Sequence, residues 1–135
     1  SSGVSLLIID VHICEVFQHR VNGSVDFYRN FSSYEAGFGS LSGEFWLVTS
    51  TVADYLPSTA NGGADNMAFS TFDRDNDRSG INCASSYHGA WWYNHCYQYA
   101  NLNGDYLTPG THSSYSMTFD EYVSLKTSRM MFRTT

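Results

Sequence analysis

Asp73, Asp75 and Asp77 alternate with Arg74 and Asn76 in the stretch FDRDND, a few residues ahead of Cys83. Carboxylates this close repel one another unless a positive charge sits among them. A hard cation is the first chemistry such a loop suggests. Calcium accepts about six to eight oxygen ligands at flexible geometry, and carboxylates, backbone carbonyls and water can all supply them. The spacing also matches the opening of an EF-hand loop, but the sixth position is Arg78 instead of Gly and the twelfth is Ala84 instead of Glu, so that motif fails. An ion-free alternative is a surface turn in which each Asp or Asn side chain bonds nearby backbone.

Cys83 and Cys96 bracket His88, His95 and the pair Trp91 and Trp92. A bridge between these cysteines would close a loop worth roughly 3 kcal/mol on chain entropy. Zinc is the competing use, with the histidines as further ligands. The set lacks the paired C-x-x-C or H-x-x-x-H spacing of structural zinc sites, which favours the disulfide. Cys14 makes the count three and leaves one thiol over. Sequons at Asn22 and Asn30 point, with the bridge, to an oxidising, secreted setting in which both asparagines are glycosylation acceptors. No role is assigned to His12, His19 or His112.

The elements that must position these groups are sparse. The 135 residues suit one modest domain, and 42% apolar with 16% aromatic residues is enough for a packed core. A formal charge of −6 with no basic stripe argues against nucleic acid and anionic membrane surfaces as partners. No apolar run is long enough to span a bilayer, and VSLLIIDVHIC is broken by Asp10 and His12. Without an initial Met, a basic n-region or a cleavage site, residues 1–15 read as an atypical N-terminal segment rather than a signal peptide.

Val16 to Arg29 alternates apolar and polar residues around Asn22-Gly23, which predicts a hairpin. Ser32 three residues ahead of Glu35 reads as a capping box on a short helix, and EFWLV as a buried strand. Thr49 to Ala64 is loop-like, and Val123 to Arg133 returns to strand-like residues. No G-x-S-x-G elbow, H-E-x-x-H or phosphate-cradling glycine loop is present, so nothing points to an enzyme.

The ordered motifs VFQHRVNGSVDFYRNFSSYEAGFGSLSGEFWL, FSTFDRDND, NCASSYHGAWWYNHC, NLNGDY and SLKTSRMMFR resemble the fibrinogen-related domain, over Val16 to Leu47 and Thr59 to Arg133. The resemblance implies an α+β fold: a fibrinogen C-terminal-like domain with a reduced antiparallel sheet and a loop-rich calcium-binding C-terminal subdomain. Its parts would be 16–47 (hairpin, helix and strand), a junction at 48–58 and the calcium and ligand subdomain at 59–135. Relatives carry a long stretch after EFWL, supplying a helix and several strands, that is missing here. They also have a Trp-Thr-Val-Phe-Gln approach where this chain has LLIIDVHICEVFQ, which leaves Cys14 without a partner. A sheet stripped of central strands exposes new edges, so the first half is expected to be rearranged and the second half to be better preserved.

Carried onto matching positions, the resemblance implies Ca2+ on the side chains of Asp75 and Asp77 and the carbonyls of Ser79 and Ile81, with Asp73 outside. It implies a Cys83–Cys96 disulfide beside the ligand pocket, and a peptide bond entering Cys96 that is often cis in relatives. In the lectin branch of the family that pocket holds the acetyl group of N-acetylated sugars. Tyr87 and Tyr115 would be aromatic walls, the backbone near Cys96 a hydrogen-bond donor, and Ser116 a small neighbour. Tyr97 replaces the family's usual His after the second cysteine, and His95 is the polar group nearest to hand. Ordinary core packing is the competing account of the tyrosines, and packing beneath the pocket is the expected role of Trp91 and Trp92. The implied function is a secreted, calcium-dependent pattern-recognition lectin of innate immunity, binding acetylated sugars or glycoproteins, with avidity from a homo-oligomer. An extracellular protein-binding module and a truncated chain without function are the alternatives.

Overall fold

The computed structural model describes residues 13–47, 67–96, 100–119 and 122–134. Strand β1 (Ile13–Arg20) is followed by helix α1 (Phe31–Ala36) and two short strands, β2 (Phe38–Gly39) and β3 (Phe45–Trp46). Helix α2 (Cys83–Tyr87) lies in the second half, and β4 (Ser128–Thr134) ends the described residues. The strands form one antiparallel sheet in the order β2-β3-β1-β4. β1 thus pairs with the last strand, Cys14 opposite Arg133 and Arg20 opposite Ser128, with a register shift between Val16 and Gln18 that leaves Phe17 as the extra residue. Phe17 packs edge-on to Trp46, ring centres 5.5 Å apart.

The hairpin expected across Asn22-Gly23 does not form: residues 21–30 carry no strand, and β1 finds its partners in β3 and β4. The amides of the turn, and that of Val25 just after it, go to a carboxylate. Glu44 Oε2 accepts from the N–H groups of Val21, Asn22 and Gly23 at 2.7, 3.1 and 3.0 Å, and Oε1 from Val25 at 2.9 Å. Burial opposes ionisation of Glu44, but these four donors outweigh it and hold its pKa below 4.5. Gly23 does take a positive φ of 75°, as a tight turn at Asn-Gly demands.

The short helix is present, but its cap is Asn30 and not Ser32. Asn30 Oδ1 accepts from Ser33 N at 2.9 Å, and Asp73 Oδ1, from the acid loop, accepts from Phe31 N at 2.9 Å. With those donors met, the Ser32–Glu35 box has no work to do. Phe45 and Trp46 form the expected buried strand. The closing strand starts at Ser128, later than the composition suggests.

The core is aromatic and continuous between the two halves. Tyr34 packs on Trp46 and on Phe69 at 5.1 Å each, Phe69 on Trp92 at 5.0 Å, and Trp92 on Trp91 at 4.9 Å. Trp91 and Trp92 are buried, as structural tryptophans should be. Polar ties run the same way. Gln18 Nε2 donates to Leu102 O and Asn103 Oδ1, and buried Arg20 donates to the carbonyls of Leu102 and Gly104. Residues 13–47 are therefore a folded part of the molecule docked on its second half. The stretch 48–58 and all of the loop-like region, Thr49 to Ala64, lie outside the described residues.

Candidate functional site

Each aspartate of the loop has a different employment. Asp73 turns away to cap α1, and Oδ1 also accepts the Thr71 hydroxyl at 2.6 Å; that bond and the Phe31 amide lower its pKa. Asp75 Oδ1 accepts from Asp77 N at 3.2 Å. Asp77 accepts from Ser79 N at 2.8 Å on one oxygen and from Cys83 N at 2.9 Å on the other. Burial raises the pKa of Asp77, the Cys83 amide pulls against it, and the neighbouring Asp75 carboxylate pushes it up again. Among the described residues no Lys or Arg forms an ion pair with either acid. The loop is fixed from below by Asn76, whose N–H donates to Ser70 Oγ and whose side chain donates to Phe69 O, both at 2.9 Å. Arg78 N donates to Asn94 O at 2.8 Å. Ile81, the last implied ligand, presents an exposed side chain, so only its main chain is suited to an ion.

Two carboxylates side by side, no basic partner, and one carboxyl held up in pKa make a donor set that suits a hard cation. Each Asp77 oxygen has one amide donor, which leaves lone pairs for a further partner.

Cys83 and Cys96 are joined in a disulfide, Cα atoms 4.9 Å apart and both residues buried. Asp77 and the two sulfurs lie within 4.8 Å of one another. With both sulfurs in the bridge there is no thiolate for zinc, so the zinc alternative falls. Cys14 is a free, exposed thiol. No cis peptide occurs among the described residues, so the cis bond implied before Cys96 is absent; the backbone turns there on a left-handed φ of 65° at Cys96 itself.

Helix α2 starts on Asn82, whose Oδ1 accepts from Ser85 N at 3.0 Å, and ends on His88 in the left-handed conformation, φ 49°. The NLNG motif locks the segment that leaves this helix. Asn101 Nδ2 donates to Tyr87 O at 3.0 Å, Asn101 Oδ1 accepts the Tyr93 hydroxyl at 2.6 Å, and Asn103 Nδ2 donates to Ala90 O at 2.9 Å. A Cβ on Gly104 would lie 2.5 Å from Ser116 O, which accounts for the glycine.

The implied ligand residues separate on inspection. Tyr115 is 43% exposed and available. His95 is exposed and Cys96 is buried in its bridge. Tyr87 is half-buried and stacks on Tyr122, 6.2 Å between centres. Ser116 is fully buried, and its hydroxyl is turned to the carbonyls of Ser113 and Tyr122, so it braces a loop. Tyr97 lies outside the described residues. Asn22 and Asn30 are both exposed.

Sequence reasoning missed a group that the fold assembles here. Tyr28, His88 and Tyr115 stack in one column, His88 in the middle, and Phe72 abuts Tyr28. His88 Nδ1 lies 3.1 Å from Asp105 Oδ2. Nothing in the local spacing of these residues marks them, because the contacts join four separate loops.

An acid loop, a disulfide and an aromatic surface carried on a small sheet make up a loop-rich α+β domain. The chain matches the profile of the C-terminal globular domain of fibrinogen beta and gamma chains in two segments, residues 12–55 and 51–134, and it belongs to that family. It is 35% identical over 151 residues to fibrinogen C domain-containing protein 1-A of Xenopus laevis, with 75% of this chain and 33% of that protein covered. The mouse fibrinogen C domain-containing protein 1 gives 35% over 151 residues, covering 75% and 32%. The chain thus spans about a third of the length of the curated relatives it matches. That aligned stretch exceeds the 135 residues present here, so the relatives carry residues with no counterpart in this sequence.

Among solved structures, the fibrinogen-like globe domain of human ANGPTL2 superposes with a TM-score of 0.76 at 25% identity, covering 87% of this chain and 78% of that one. Lamprey fibrin D-dimer, complexed with the peptide Gly-His-Arg-Pro-amide, gives 0.73 at 23% identity over 90% and 61%, a likeness of fold. The fold is therefore the fibrinogen-like globe, mixed α+β with a small antiparallel sheet. Domains of this family are generally binding modules of extracellular type, and no described helix is long and apolar enough to cross a membrane.

Proposed function

We propose that this domain is a secreted, calcium-dependent recognition module for acetylated glycans, a pattern-recognition lectin and not an enzyme. The observation that carries the reading is the hydrogen bond from Cys83 N to Asp77, which makes the acid loop and the disulfide one mechanical unit. Asp75 and Asp77, with the carbonyls of Ser79 and Ile81, would hold Ca2+; the ion supplies positive charge that relieves the carboxylate pair. Everything else falls to the protein's own residues. The loop, fixed through Asp77, sets the start of α2, and α2 sets Tyr87 and His88. The exposed ring of Tyr115 offers an apolar face to an acetyl methyl, and the main chain near Cys96 would supply the donor to its carbonyl oxygen, as the family resemblance implies. His95 and Tyr97 are the polar groups nearest to that site in the sequence. Weak single sites would gain strength from a homo-oligomer on a repetitive glycan surface.

Calorimetry with N-acetylglucosamine, in calcium and in chelator, tests this. Binding in calcium and its loss in chelator are expected; equal affinity in both refutes the calcium dependence.

One observation favours a second reading, recognition of a protein. Ser116 faces inward, whereas Phe72 and Tyr115 are exposed at the two ends of an aromatic strip suited to peptide side chains. The peptide in the lamprey fibrin complex gives that reading a precedent within the fold. Passage of the domain through a resin bearing acetyl groups, together with capture by a protein partner, would favour it.

A further inference from the structure

Three rings from distant parts of the sequence lie face to face. His88 stacks on Tyr28 with centres 4.6 Å apart and planes 11° from parallel, and on Tyr115 at 4.2 Å and 12°. The imidazole is held from two directions. Its backbone is the left-handed residue that ends α2, and its Nδ1 meets Asp105 Oδ2 at 3.1 Å. Asp105 is in turn tied to the loop that carries Tyr115: its N–H donates to Tyr115 O at 2.6 Å, and its carbonyl accepts from Met117 N at 2.7 Å.

We infer that His88 is a positioning residue, which holds the ring of Tyr115 in one orientation before any ligand arrives. The inference rests on the reading of Tyr115 as a ligand-binding wall. An exposed tyrosine free to change rotamer must be ordered on binding, whereas one already stacked has that cost removed. His88 is the only ring partner of Tyr115 among the described residues, so the rest of the exposed tyrosine surface is left for the ligand. Tyr28 backs the imidazole from the segment between β1 and α1, so the sheet half of the molecule shapes a wall that belongs to the loop half. Asp105 orients the imidazole by its edge.

The test uses the whole chain with two variants. His88→Asn removes the ring, and asparagine tolerates the left-handed backbone of this position. His88→Phe keeps a ring to stack; it loses the bond to Asp105 and adds the cost of a phenylalanine on a left-handed backbone, which a thermal melt of the variant measures. Tyrosine ring signals are followed by NMR in the ligand-free protein, with Tyr115 assigned from Tyr115→Phe, and affinity for N-acetylglucosamine in calcium is measured by calorimetry. The Tyr115 ring signals of the parent protein are expected to be displaced by the stacked imidazole, to revert towards free-tyrosine positions in His88→Asn, and to be displaced again in His88→Phe. Affinity should fall by up to about tenfold in His88→Asn and recover in His88→Phe. Unmoved Tyr115 signals in His88→Asn, or failure of His88→Phe to restore them, overturns the inference. If the parent protein binds no sugar, the acetyl reading fails, and the ring signals alone decide whether His88 positions Tyr115.

Discussion

The main-chain N–H of Cys83 donates to the carboxylate of Asp77 at 2.9 Å, so the first residue of α2 is held by an acid and by a sulfur bridge at once. Removing the bridge should loosen the acid loop as well as the fold around it. The double substitution Cys83→Ala with Cys96→Ala is expected to cost about 2–4 kcal/mol in urea denaturation and to weaken calcium binding. A variant that loses stability yet keeps full calcium affinity would show the two features to be independent.

Asp77 has a raised pKa, chiefly from burial and then from Asp75 beside it. Protons would therefore compete with a cation bound here at a higher pH than at an ordinary carboxyl of 3.8. Calcium affinity should decline on acidification through that raised value and recover above it, where Asp77 is ionised. Titrations in a pH series check this, and Asp77→Asn should abolish the pH dependence along with most of the binding.

Glu44 behaves in the opposite sense. Its folded pKa lies below 4.5, so its contribution to stability is full above 4.5 and is lost as pH falls through the lower folded value. Glu44→Gln puts an amide NH2 among four N–H donors, and should cost about 2–3 kcal/mol at neutral pH. Stability curves of the two proteins should converge in acid. Curves that stay parallel down to strongly acidic pH would contradict the role given to the carboxylate.

Phe69 links the rings of Tyr34 and Trp46 to Trp92, and so joins the two halves of the core. Phe69→Ala is expected to destabilise by about 3–5 kcal/mol. Both halves should melt together in the parent protein, followed through tryptophan fluorescence and circular dichroism; separate transitions there would mean that the halves are not one unit.

What was legible in the sequence was what depends on near neighbours or on an ordered set of motifs. The acid triplet, the Cys83–Cys96 pairing, the short helix and the buried Phe45-Trp46 strand all belong to that class. The failures have a common origin in long-range partners. Asn22-Gly23 does turn, but Glu44, from the far side of α1, claims the amides of Val21, Asn22, Gly23 and Val25. Asp73 supplies a donor's partner to α1 from across the fold, which displaces the cap from Ser32 to Asn30. The Tyr28–His88–Tyr115 column has no local pattern, since only folding brings its members together.

The central claim is that Asp75 and Asp77 hold calcium and that this fixes the ligand-binding loops. Its most direct test is thermal unfolding of the purified protein over a calcium titration, with Asp75→Asn/Asp77→Asn as control. The account predicts a melting temperature that rises with calcium as mass action requires, returns in chelator, and does not move in the double variant. A melting temperature indifferent to calcium in the parent protein, or an equal rise in the variant, would contradict it.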